Sequence, residues 1–316
     1  MRRSATATTA AALAALLLLA GCSSDDGEAE PAASQTPTAT ESESAGAEAG
    51  NAPEDVAALE GVTVEGEAGG EPTLTFEQPL NVTGSAAVVA SPGDGEEITE
   101  GQLLVVDFIQ VNGENGEVLD STYEGGPQPL VVSDEMTVPA LNDVLIGQQV
   151  GARVLFASPT QAAAAIMALE VVDARSRAEG TAVEAPEGVP AVTLAENGEP
   201  SIEPVDGEAP TELVAAPTIK GEGEEVEEGD YVFVQYSGWL WDGTPFDSSW
   251  SKGVPFPLEA GAGQVIEGWD TALLGQTVGS QVVMVIPPEL GYKDQDNGTI
   301  PPNSTLVFVV DILYAG

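Results

Sequence analysis

Apolar side chains recur at every second position in several short stretches of this chain. Val232, Val234 and Tyr236 follow this pattern, and a period of two predicts a β-strand. Residues 281–286 and 305–313 are rich in β-branched and apolar side chains and lie next to Pro-Pro pairs. These two stretches are therefore also predicted to be strands.

In one stretch of the chain the apolar residues are spaced as in a helix. After Gly268, the residues Trp269, Ala272 and Leu273 fall at positions i, i+3 and i+4 and share one face of a helix. Gly275 follows at a position where helices commonly end. The pattern predicts one short helix between two strands.

An internal repeat organises the chain. Residues 101–108 match residues 229–236, and residues 141–151 match residues 269–279, both at an offset of 128 positions. A fixed period this long, present twice, indicates a duplicated domain and not a solenoid.

We place the first copy at residues 56–178 and the second copy at residues 184–316, joined by a stretch rich in Glu, Pro and Gly. The length of 316 residues is sufficient for two domains. Each copy is expected to be an antiparallel sheet packed on one short helix, so the fold class is α+β.

The N-terminus has the features of a secretory signal. Two arginines, an apolar run and small residues precede Cys22, and Leu19-Ala20-Gly21-Cys22 resembles a bacterial lipobox. In that motif the cysteine is lipidated and becomes the new N-terminus. We therefore predict that residues 1–21 are a lipoprotein signal peptide and that Cys22 is lipidated, with a structural thiol as the alternative. Cys22 is the only cysteine, so the mature protein would have no disulfide.

Residues 22–55 are predicted to be an acidic disordered tether. They consist almost entirely of small and polar residues with nine carboxylates and no basic residue. Such a segment buries too little apolar surface to order itself. The protein is therefore expected to be extracytoplasmic and lipid-anchored to the outer face of the bacterial cell membrane.

Charge and composition exclude several classes of function. The net charge of -44 argues against binding nucleic acid, because phosphate recognition relies on Lys and Arg. The chain has no histidine, which excludes histidine general bases, histidine-containing triads and histidine metal sites. The segment 294–298 hints at a calcium loop, but its glycine and its twelfth residue do not fit that motif. No metal and no cofactor are expected.

Aromatic residues are concentrated between positions 231 and 308, where they alternate with Gly and Pro turn signals. Five separated motifs occur there in order: Tyr-Ser-Gly from Tyr236, Phe-Asp-Ser-Ser from Phe246, Val-Ile-Glu-Gly-Trp from Val265, Gly-Tyr ending at Tyr292, and Ile-Pro-Pro-Asn-Ser-Thr-Leu-Val-Phe from Ile300. In this combination the second copy resembles an FKBP-type peptidyl-prolyl cis-trans isomerase domain. The first copy, which matches it at the 128-residue offset, would be a degenerate FKBP-like domain.

The resemblance implies a prolyl pocket between the helix and the concave face of the sheet. Trp269 would form its floor, and Asp247 would bond the Tyr236 hydroxyl and lie near the ligand. Tyr292 and the Ile266 N–H would donate to substrate carbonyls. Aromatic and aliphatic walls would come from the remaining positions of the motifs: Tyr236, Phe246, Phe256, Val265, Ile266, Ile300 and Phe308.

Each of these residues could instead have an ordinary structural role. Phe308 and Trp269 could be ordinary core aromatics, Asp247 a strand-end carboxylate, and Tyr292 the cover of a loop. In the first copy, Leu replaces three of the four main pocket aromatics, and Tyr292 and the Ile-Pro-Pro loop have no counterpart. We therefore predict that the first copy folds but is weakly active or inactive.

The leading hypothesis is an extracytoplasmic foldase that isomerises X-Pro bonds in secreted chains through its second copy. Its partners would be proline-containing polypeptides, the membrane through Cys22 and the macrolide inhibitors known for the family. One alternative is a non-catalytic proline-binding chaperone or scaffold of the same fold. Another is a solute-binding lipoprotein, which would need alternating strands and helices.

Overall fold

Two antiparallel sheets, one in each copy, contain most of the strands. The computed structural model describes residues 50–203 and 207–316. The predicted signal peptide, Cys22 and the predicted tether up to residue 49 lie outside the described residues. No helix in the described ranges is long and apolar enough to cross a membrane.

The first copy begins with a helix and a small hairpin and continues into a six-stranded sheet. Its elements are α1 (Pro53–Glu60), β1 (Thr63–Glu65), β2 (Thr73–Thr75), β3 (Ala86–Ser91), β4 (Leu103–Asn112), β5 (Val118–Ser121), β6 (Gln128–Val131), α2 (Pro139–Leu145), β7 (Arg153–Pro159) and β8 (Ala164–Arg175).

The second copy has its own small hairpin and a seven-stranded sheet. Its elements are β9 (Thr181–Ala182), β10 (Ala191–Leu194), β11 (Pro200–Glu203), β12 (Val214–Lys220), β13 (Tyr231–Leu240), β14 (Pro245–Ser248), β15 (Phe256–Glu259), α3 (Glu267–Leu273), β16 (Gln281–Ile286) and β17 (Leu306–Ala315). Two short 3₁₀ turns lie at Trp250–Lys252 and Pro288–Leu290.

The two sheets have the same strand order. The first sheet runs β3-β7-β8-β4-β5 with β6 also on β4, and the second runs β12-β16-β17-β13-β14 with β15 also on β13. The second sheet adds β9 beside β12. Because both sheets are antiparallel, the alternation of strands and helices that a solute-binding lipoprotein would need is not present in the described residues.

The loop before the last strand distinguishes the two sheets. Only four residues, 160–163, connect β7 to β8, whereas nineteen residues, 287–305, connect β16 to β17. The long loop belongs to the second copy and carries Tyr292 and Ile300.

Each sheet buries its concave face against one helix. In the second copy, Trp269, Ala272 and Leu273 on α3 pack onto apolar residues of β13, β16 and β17, as the helical spacing predicts. Gly268 is what allows this approach, since a Cβ on that residue would come 2.4 Å from Cγ2 of Ile286. Leu141 and Leu145 on α2 occupy the same place in the first copy.

The opposite face of each sheet is also covered. In the first copy, α1 and the β1–β2 hairpin pack over it, and a buried ion pair between Arg153 and Glu170 (2.7 Å) lies beneath them. Arg153 also donates to the carbonyls of Gly66 and Gly70 in the hairpin turn. In the second copy, Val192 and Ile202 of the β10–β11 hairpin pack against Trp239.

The two copies are joined by direct contacts. Leu103 and Val131 of the first copy share an apolar cluster with Phe233 and Leu313 of the second. The Tyr314 hydroxyl donates to the carbonyl of Pro127 at 3.2 Å.

The join between the copies is itself hydrogen-bonded to the second sheet. Ala178 N–H donates to Asp311 Oδ2 at 2.8 Å, and Thr181–Ala182 form β9 beside β12. Residues that composition places between two domains are therefore part of the second sheet's hydrogen-bonding pattern.

Two other expectations need adjustment. Helix α1 starts at Pro53, and Asp55 is buried with its carboxylate bonded to Thr83 and Gly84, so residues 53–55 belong to the folded part and not to a tether. The first copy thus contains two helices instead of one. Composition missed this because the first turn of α1 is as acidic as the segment before it.

Candidate functional site

Four aromatic rings meet on the concave face of the second sheet. The ring centroids of Tyr236 and Phe308 each lie 5.2 Å from that of Trp269, and Phe246 lies 5.4 Å from Phe308. The pairs cross at 89°, which is the edge-to-face geometry that aromatic rings favour.

The strands and the helix explain why these rings converge. Tyr236 on β13 and Phe308 on β17 flank the same stretch of sheet, because Gly238 pairs with Phe308 in the antiparallel register. Trp269 comes from the buried face of α3, and Phe246 from the edge strand β14. Trp269 and Phe308 are 4% and 5% exposed, so the rings form a largely buried wall and floor.

A fifth ring stands at the mouth of the site. Phe256 on β15 lies 5.8 Å from Tyr236 and 6.3 Å from Trp269 between centroids, and it is 37% exposed. It can therefore contact a molecule that enters from solvent.

Tyr236, Asp247 and Lys252 form a polar group at one side of the rings. The Tyr236 hydroxyl donates to Asp247 Oδ2 at 2.5 Å, and Lys252 Nζ lies 2.7 Å from Asp247 Oδ1. The predicted bond between Tyr236 and Asp247 is therefore present. Lys252 also donates to the Tyr236 hydroxyl at 3.3 Å. The sequence reasoning missed the ion pair between Lys252 and Asp247.

These contacts shift the ionisation of the group. Burial, together with the hydrogen bond to Asp247, raises the pKa of Tyr236 to about 12. Burial alone would raise the pKa of Asp247, but hydrogen bonds from Lys252 and Tyr236 outweigh it and hold that pKa below its ordinary value. At neutral pH the side chain of Tyr236 is neutral and that of Asp247 is charged. Neither of these two side chains therefore gives up a proton readily.

The start of α3 supplies the opposite side of the site. Val265 and Ile266 are partly buried against the aromatic cluster, and Ile266 is the residue directly before the helix. The Ile266 carbonyl accepts from Trp269 N–H, but its own N–H donates to none of the described residues. That N–H is free to bind a substrate carbonyl, as the resemblance implies.

The long loop of the second copy covers the site. Ile300 is buried in the aromatic cluster, and Tyr292 is partly buried against it. The Tyr292 hydroxyl has no hydrogen-bond partner within residues 50–203 and 207–316. The ten predicted pocket residues are thus brought together, while their individual roles stay predictions.

Not all the aromatic residues in this stretch belong to the site. Trp239 and Trp241 lie on the other face of the sheet, under the β10–β11 hairpin. Strand alternation could have predicted this for Trp239, because positions 236 and 239 have opposite parity and therefore point to opposite faces.

Gly238 is a site residue that the sequence reasoning missed. A Cβ on Gly238 would lie 2.8 Å from Phe246 Cζ and 2.8 Å from Phe308 Cε1. The register gives Gly238 opposite Asp247 in the second sheet and Gln110 opposite Asp120 in the first. Gln110 thus occupies the position that a glycine leaves open in the second copy.

The first copy has no comparable site. Phe108 and Leu141 pack in its core, but Leu119, at the position of Phe246, is 53% exposed. The match of Leu130 with Phe256 is wrong, because the register places the exposed Gln128 at the position of Phe256 and Leu130 at that of Leu258, so Leu replaces only two of the four main pocket aromatics. Asp120 bonds only the N–H of Ser121 among the described contacts, and the four-residue loop between β7 and β8 carries nothing that could cover the cleft.

Comparisons with known proteins agree with the geometry of the second copy. A sequence profile of the FKBP-type peptidyl-prolyl cis-trans isomerase family matches residues 222–313. An FK506-binding protein of Streptomyces anulatus is 38% identical over 117 residues, which cover 36% of this chain and 94% of that protein.

Two further relatives are similar to this chain over about 90 residues. An FK506-binding protein of Neisseria meningitidis serogroup C is 44% identical over 92 residues, 29% of this chain and 84% of that protein. The peptidyl-prolyl cis-trans isomerase FKBP15-2 of Arabidopsis thaliana is 46% identical over 90 residues, 28% of this chain and 55% of that protein. The chain therefore belongs to the FKBP family, and its C-terminal region is an FKBP-type peptidyl-prolyl cis-trans isomerase domain.

Proposed function

We propose that the protein is a lipid-anchored foldase that isomerises X-Pro bonds in extracytoplasmic polypeptides, with the prolyl pocket of the second copy as its active site. The observation that carries this proposal is the convergence of Tyr236, Phe246, Trp269 and Phe308 around one concave site. The isomerase activity itself follows from the family. The residue roles, the location and the function of the first copy are the proposed parts.

The chemistry suits a site without a nucleophile. Rotation about a prolyl amide breaks no bond, but it must overcome a barrier of about 18 to 20 kcal/mol that comes from amide resonance. The planar amide is more polar than the twisted one, so a water-poor aromatic site disfavours the ground state more than the transition state. A thousandfold acceleration requires only about 4 kcal/mol.

Each residue has a defined part in this scheme. Trp269 supports the proline ring from below, and Phe246, Phe256, Val265 and Phe308 enclose it. The Tyr292 hydroxyl donates to the carbonyl that precedes the proline, and the Ile266 N–H donates to another substrate carbonyl. These two bonds orient the substrate while the prolyl amide twists. Asp247 keeps the Tyr236 ring in place through their hydrogen bond, and Ile300 closes the site from the loop.

The first copy is a degenerate FKBP-like domain without useful activity. Its sheet has the same strand order as that of the isomerase domain and lies at the 128-residue offset, which supports a common origin. Gln110 stands at the register position of Gly238, and the four-residue loop between β7 and β8 has no counterpart of Tyr292. Apolar replacements such as Leu141 for Trp269 preserve its core.

The proposed ligands follow from the pocket. Proline-containing chains bind as substrates. Two relatives are named FK506-binding proteins, and the same aromatic site would accept that macrolide as a competitive ligand. Anchoring is proposed from the lipobox-like sequence that ends at Cys22.

The experiment compares matched substitutions in the full chain. Phe246→Ala removes a partly exposed wall of the pocket, and Leu119→Ala removes the residue at the same position of the first copy. Each protein is added to a refolding reaction that is limited by prolyl isomerisation. We expect Phe246→Ala to abolish the acceleration of the slow phase and Leu119→Ala to leave it unchanged.

Two results would contradict the proposal. If both variants lowered the rate equally, catalysis would not be confined to the second copy. If wild-type protein bound the client but left the slow phase unchanged, the protein would be a holdase. Anchoring is tested separately by metabolic labelling with a fatty acid, which wild-type protein should incorporate and Cys22→Ser should not.

A further inference from the structure

The first copy contacts a loop at the edge of the prolyl pocket. Residues 250–256 of the second copy lead from the end of β14 into β15, and we call them the rim segment. Lys252 lies on this segment and pairs with Asp247 in the polar group of the site. The segment ends at Phe256, the ring at the mouth of the site. Any contact that fixes the rim segment therefore also fixes the mouth of the pocket.

Strand β13 holds the two ends of the rim segment. Ser249, the residue before the segment, donates its N–H to a carbonyl of β13 at 3.0 Å. At the other end, Phe256 pairs with Val234 in the register of β13 and β15. Between these ends, the carbonyl of Gly253 and the backbone of Val254 form no hydrogen bond with any residue that the structure describes. The position of this part of the segment therefore depends on packing.

The first copy supplies that packing. Val254 packs against an apolar cluster to which the first copy contributes Leu103 and Val131. These two side chains are buried, with 0% and 3% of their surface exposed. The backbone of Gly101 lies against the carbonyl of Gly253, since a Cβ on Gly101 would come 2.4 Å from that oxygen. A side chain and a backbone carbonyl of the rim segment are thus in contact with the first copy.

Hydrogen bonds hold the first copy in this position. The guanidinium of Arg175 donates to the carbonyl of Leu313 at 2.7 Å. The hydroxyl of Tyr314 donates to the carbonyl of Pro127 at 3.2 Å. Leu313 is itself fully buried in the apolar cluster that contacts Val254. The two copies therefore meet through packed and hydrogen-bonded groups, and close-packed groups transmit small displacements.

A displaced rim segment would affect substrate binding more than the isomerisation step. Trp269 and Phe308, which surround the proline, come from α3 and β17 and not from the rim segment. Phe256 stands at the mouth, where it contacts the bound peptide before and during rotation of the prolyl bond. Loss of an interaction that is equally strong in the ground state and the transition state raises KM and leaves kcat unchanged.

We propose that the first copy is a positioning element for the active site. Gly101 and the apolar cluster around Leu103 hold the rim segment, and this keeps Phe256 at the mouth of the pocket. The contact comes from outside residues 222–313, the region that the family profile matches. The proposal rests on the proposed prolyl pocket, so the test follows the position of the rim segment separately from the rate of isomerisation.

Two glycines of the first copy provide a matched pair of variants in the full chain. Gly101 and Gly147 have φ angles of +84° and +81°, so alanine strains the backbone to a similar degree at both positions. The new Cβ would meet Gly253 in Gly101→Ala, whereas nothing lies within 4 Å of a Cβ on Gly147. Exchange NMR on a short prolyl peptide at several concentrations gives kcat and KM. We expect Gly101→Ala to raise KM at least about threefold with kcat changed less than about twofold, and Gly147→Ala to change neither.

The amide NMR signals of the rim segment report its position directly. Gly101→Ala should shift the signals of Lys252, Val254 and Phe256, and Gly147→Ala should leave them in place. Urea unfolding of both variants measures any loss of stability. A displaced mouth is thereby separated from a general weakening of the fold.

A second substitution tests the apolar contact without backbone strain. Val254→Ala shortens the side chain that reaches the cluster and should also raise KM. Val172→Ala, at an exposed position of β8, is its control and should leave KM unchanged. The combination of Gly101→Ala with Val254→Ala should raise KM by less than the product of the two single effects, because both changes act through the same segment.

The outcomes separate the two proposals. Absence of isomerisation by wild-type protein would overturn the pocket, and the NMR shifts in Gly101→Ala would still decide whether the first copy holds the rim segment. Unchanged KM in folded Gly101→Ala and Val254→Ala would overturn the positioning role, even if stability fell. Equal changes of KM in Gly101→Ala and Gly147→Ala would assign the effect to backbone strain and would overturn that role as well.

Discussion

Gly238 lies directly against the rings of Phe246 and Phe308, and a Cβ on this residue would come 2.8 Å from each ring. Real Cβ contacts are longer than this, so both rings must move if any side chain is present. The backbone at Gly238 thus sets how wide the aromatic site can be.

Gly238→Ala should therefore narrow the site. We expect kcat/KM for a prolyl peptide to fall by at least tenfold, with a cost in folding stability of about 1 to 3 kcal/mol from overpacking. Peptide isomerisation and urea unfolding measure the two effects. Gly125→Ala is the control, because a Cβ there meets nothing within 4 Å, and unchanged activity of Gly238→Ala would show that the rings adapt freely.

Trp269→Ala should abolish catalysis and destabilise the protein. The ring is 4% exposed and contacts Tyr236, Phe256 and Phe308, so its loss leaves a cavity that costs about 3 to 5 kcal/mol. Trp269→Leu copies Leu141 of the first copy and should retain more stability while still lowering the rate. Full activity in either folded variant would remove Trp269 from the pocket floor.

Tyr292→Phe tests one hydrogen bond to the substrate. The hydroxyl is free within the part of the chain that the structure describes, so its removal should change stability by less than about 0.5 kcal/mol. We expect kcat to fall by about tenfold, because a donor that fixes the carbonyl during rotation is lost. Tyr231→Phe, at an exposed position of β13, should have no effect. If both variants were fully active, Tyr292 would only cover the loop.

We expect Asp311 to lower the folding stability as the pH rises, which is the opposite of what a carboxylate with a lowered pKa does. Burial raises its pKa to about 6, although Ala178 N–H and Gln281 Nε2 donate to it. The folded state therefore holds a proton that the unfolded state releases near pH 4, and stability falls as the pH rises from about 4 to about 6. This shift of the Asp311 pKa corresponds to a change of about 3 kcal/mol in the free energy of unfolding.

Asp311→Asn should remove that pH dependence. Urea unfolding at pH 4.5 and pH 7.5 gives the loss of stability for each protein, and we expect the loss to be smaller in the variant. Comparing the two cancels the general effect of the other carboxylates. Equal losses in both proteins would show that Asp311 is not the titrating group.

The buried ion pair of Arg153 and Glu170 in the first copy allows a second test of how buried charges affect stability. Arg153→Gln would leave Glu170 charged and without its cation, which should cost about 3 to 5 kcal/mol and loosen the β1–β2 hairpin turn. Arg153→Gln combined with Glu170→Gln removes both charges and should be less destabilising than the single change. A double-mutant cycle by urea unfolding measures the coupling, and additivity of the two changes would contradict it.

The sequence was informative where local pattern decides the structure. Residues 281–286 are a strand as predicted, Trp269, Ala272 and Leu273 lie on one buried helix face, and the 128-residue offset predicts which elements of the two sheets correspond. The strand and the helix face depend on side-chain periodicity over fewer than ten residues, and the repeat is found by comparing the chain with itself, so a single sequence displays all three directly.

Features that depend on distant contacts were not predictable in the same way. The bond from Ala178 N–H to Asp311 joins residues 133 positions apart, and the covering of Trp239 requires the β10–β11 hairpin to fold back on the sheet. Neither has a short sequence signature. The significance of Gly238 emerges only when the rings of β14 and β17 are placed above it.

The boundary between the copies has a practical consequence for dissecting the chain. A fragment beginning at residue 184 would lack β9 and would leave the Asp311 carboxylate, now without the Ala178 N–H, in an apolar interior. Weak activity of such a fragment would then reflect damage at the cut and not a contribution from the missing half. The shortest C-terminal piece that can be compared fairly with the whole protein starts before Ala178.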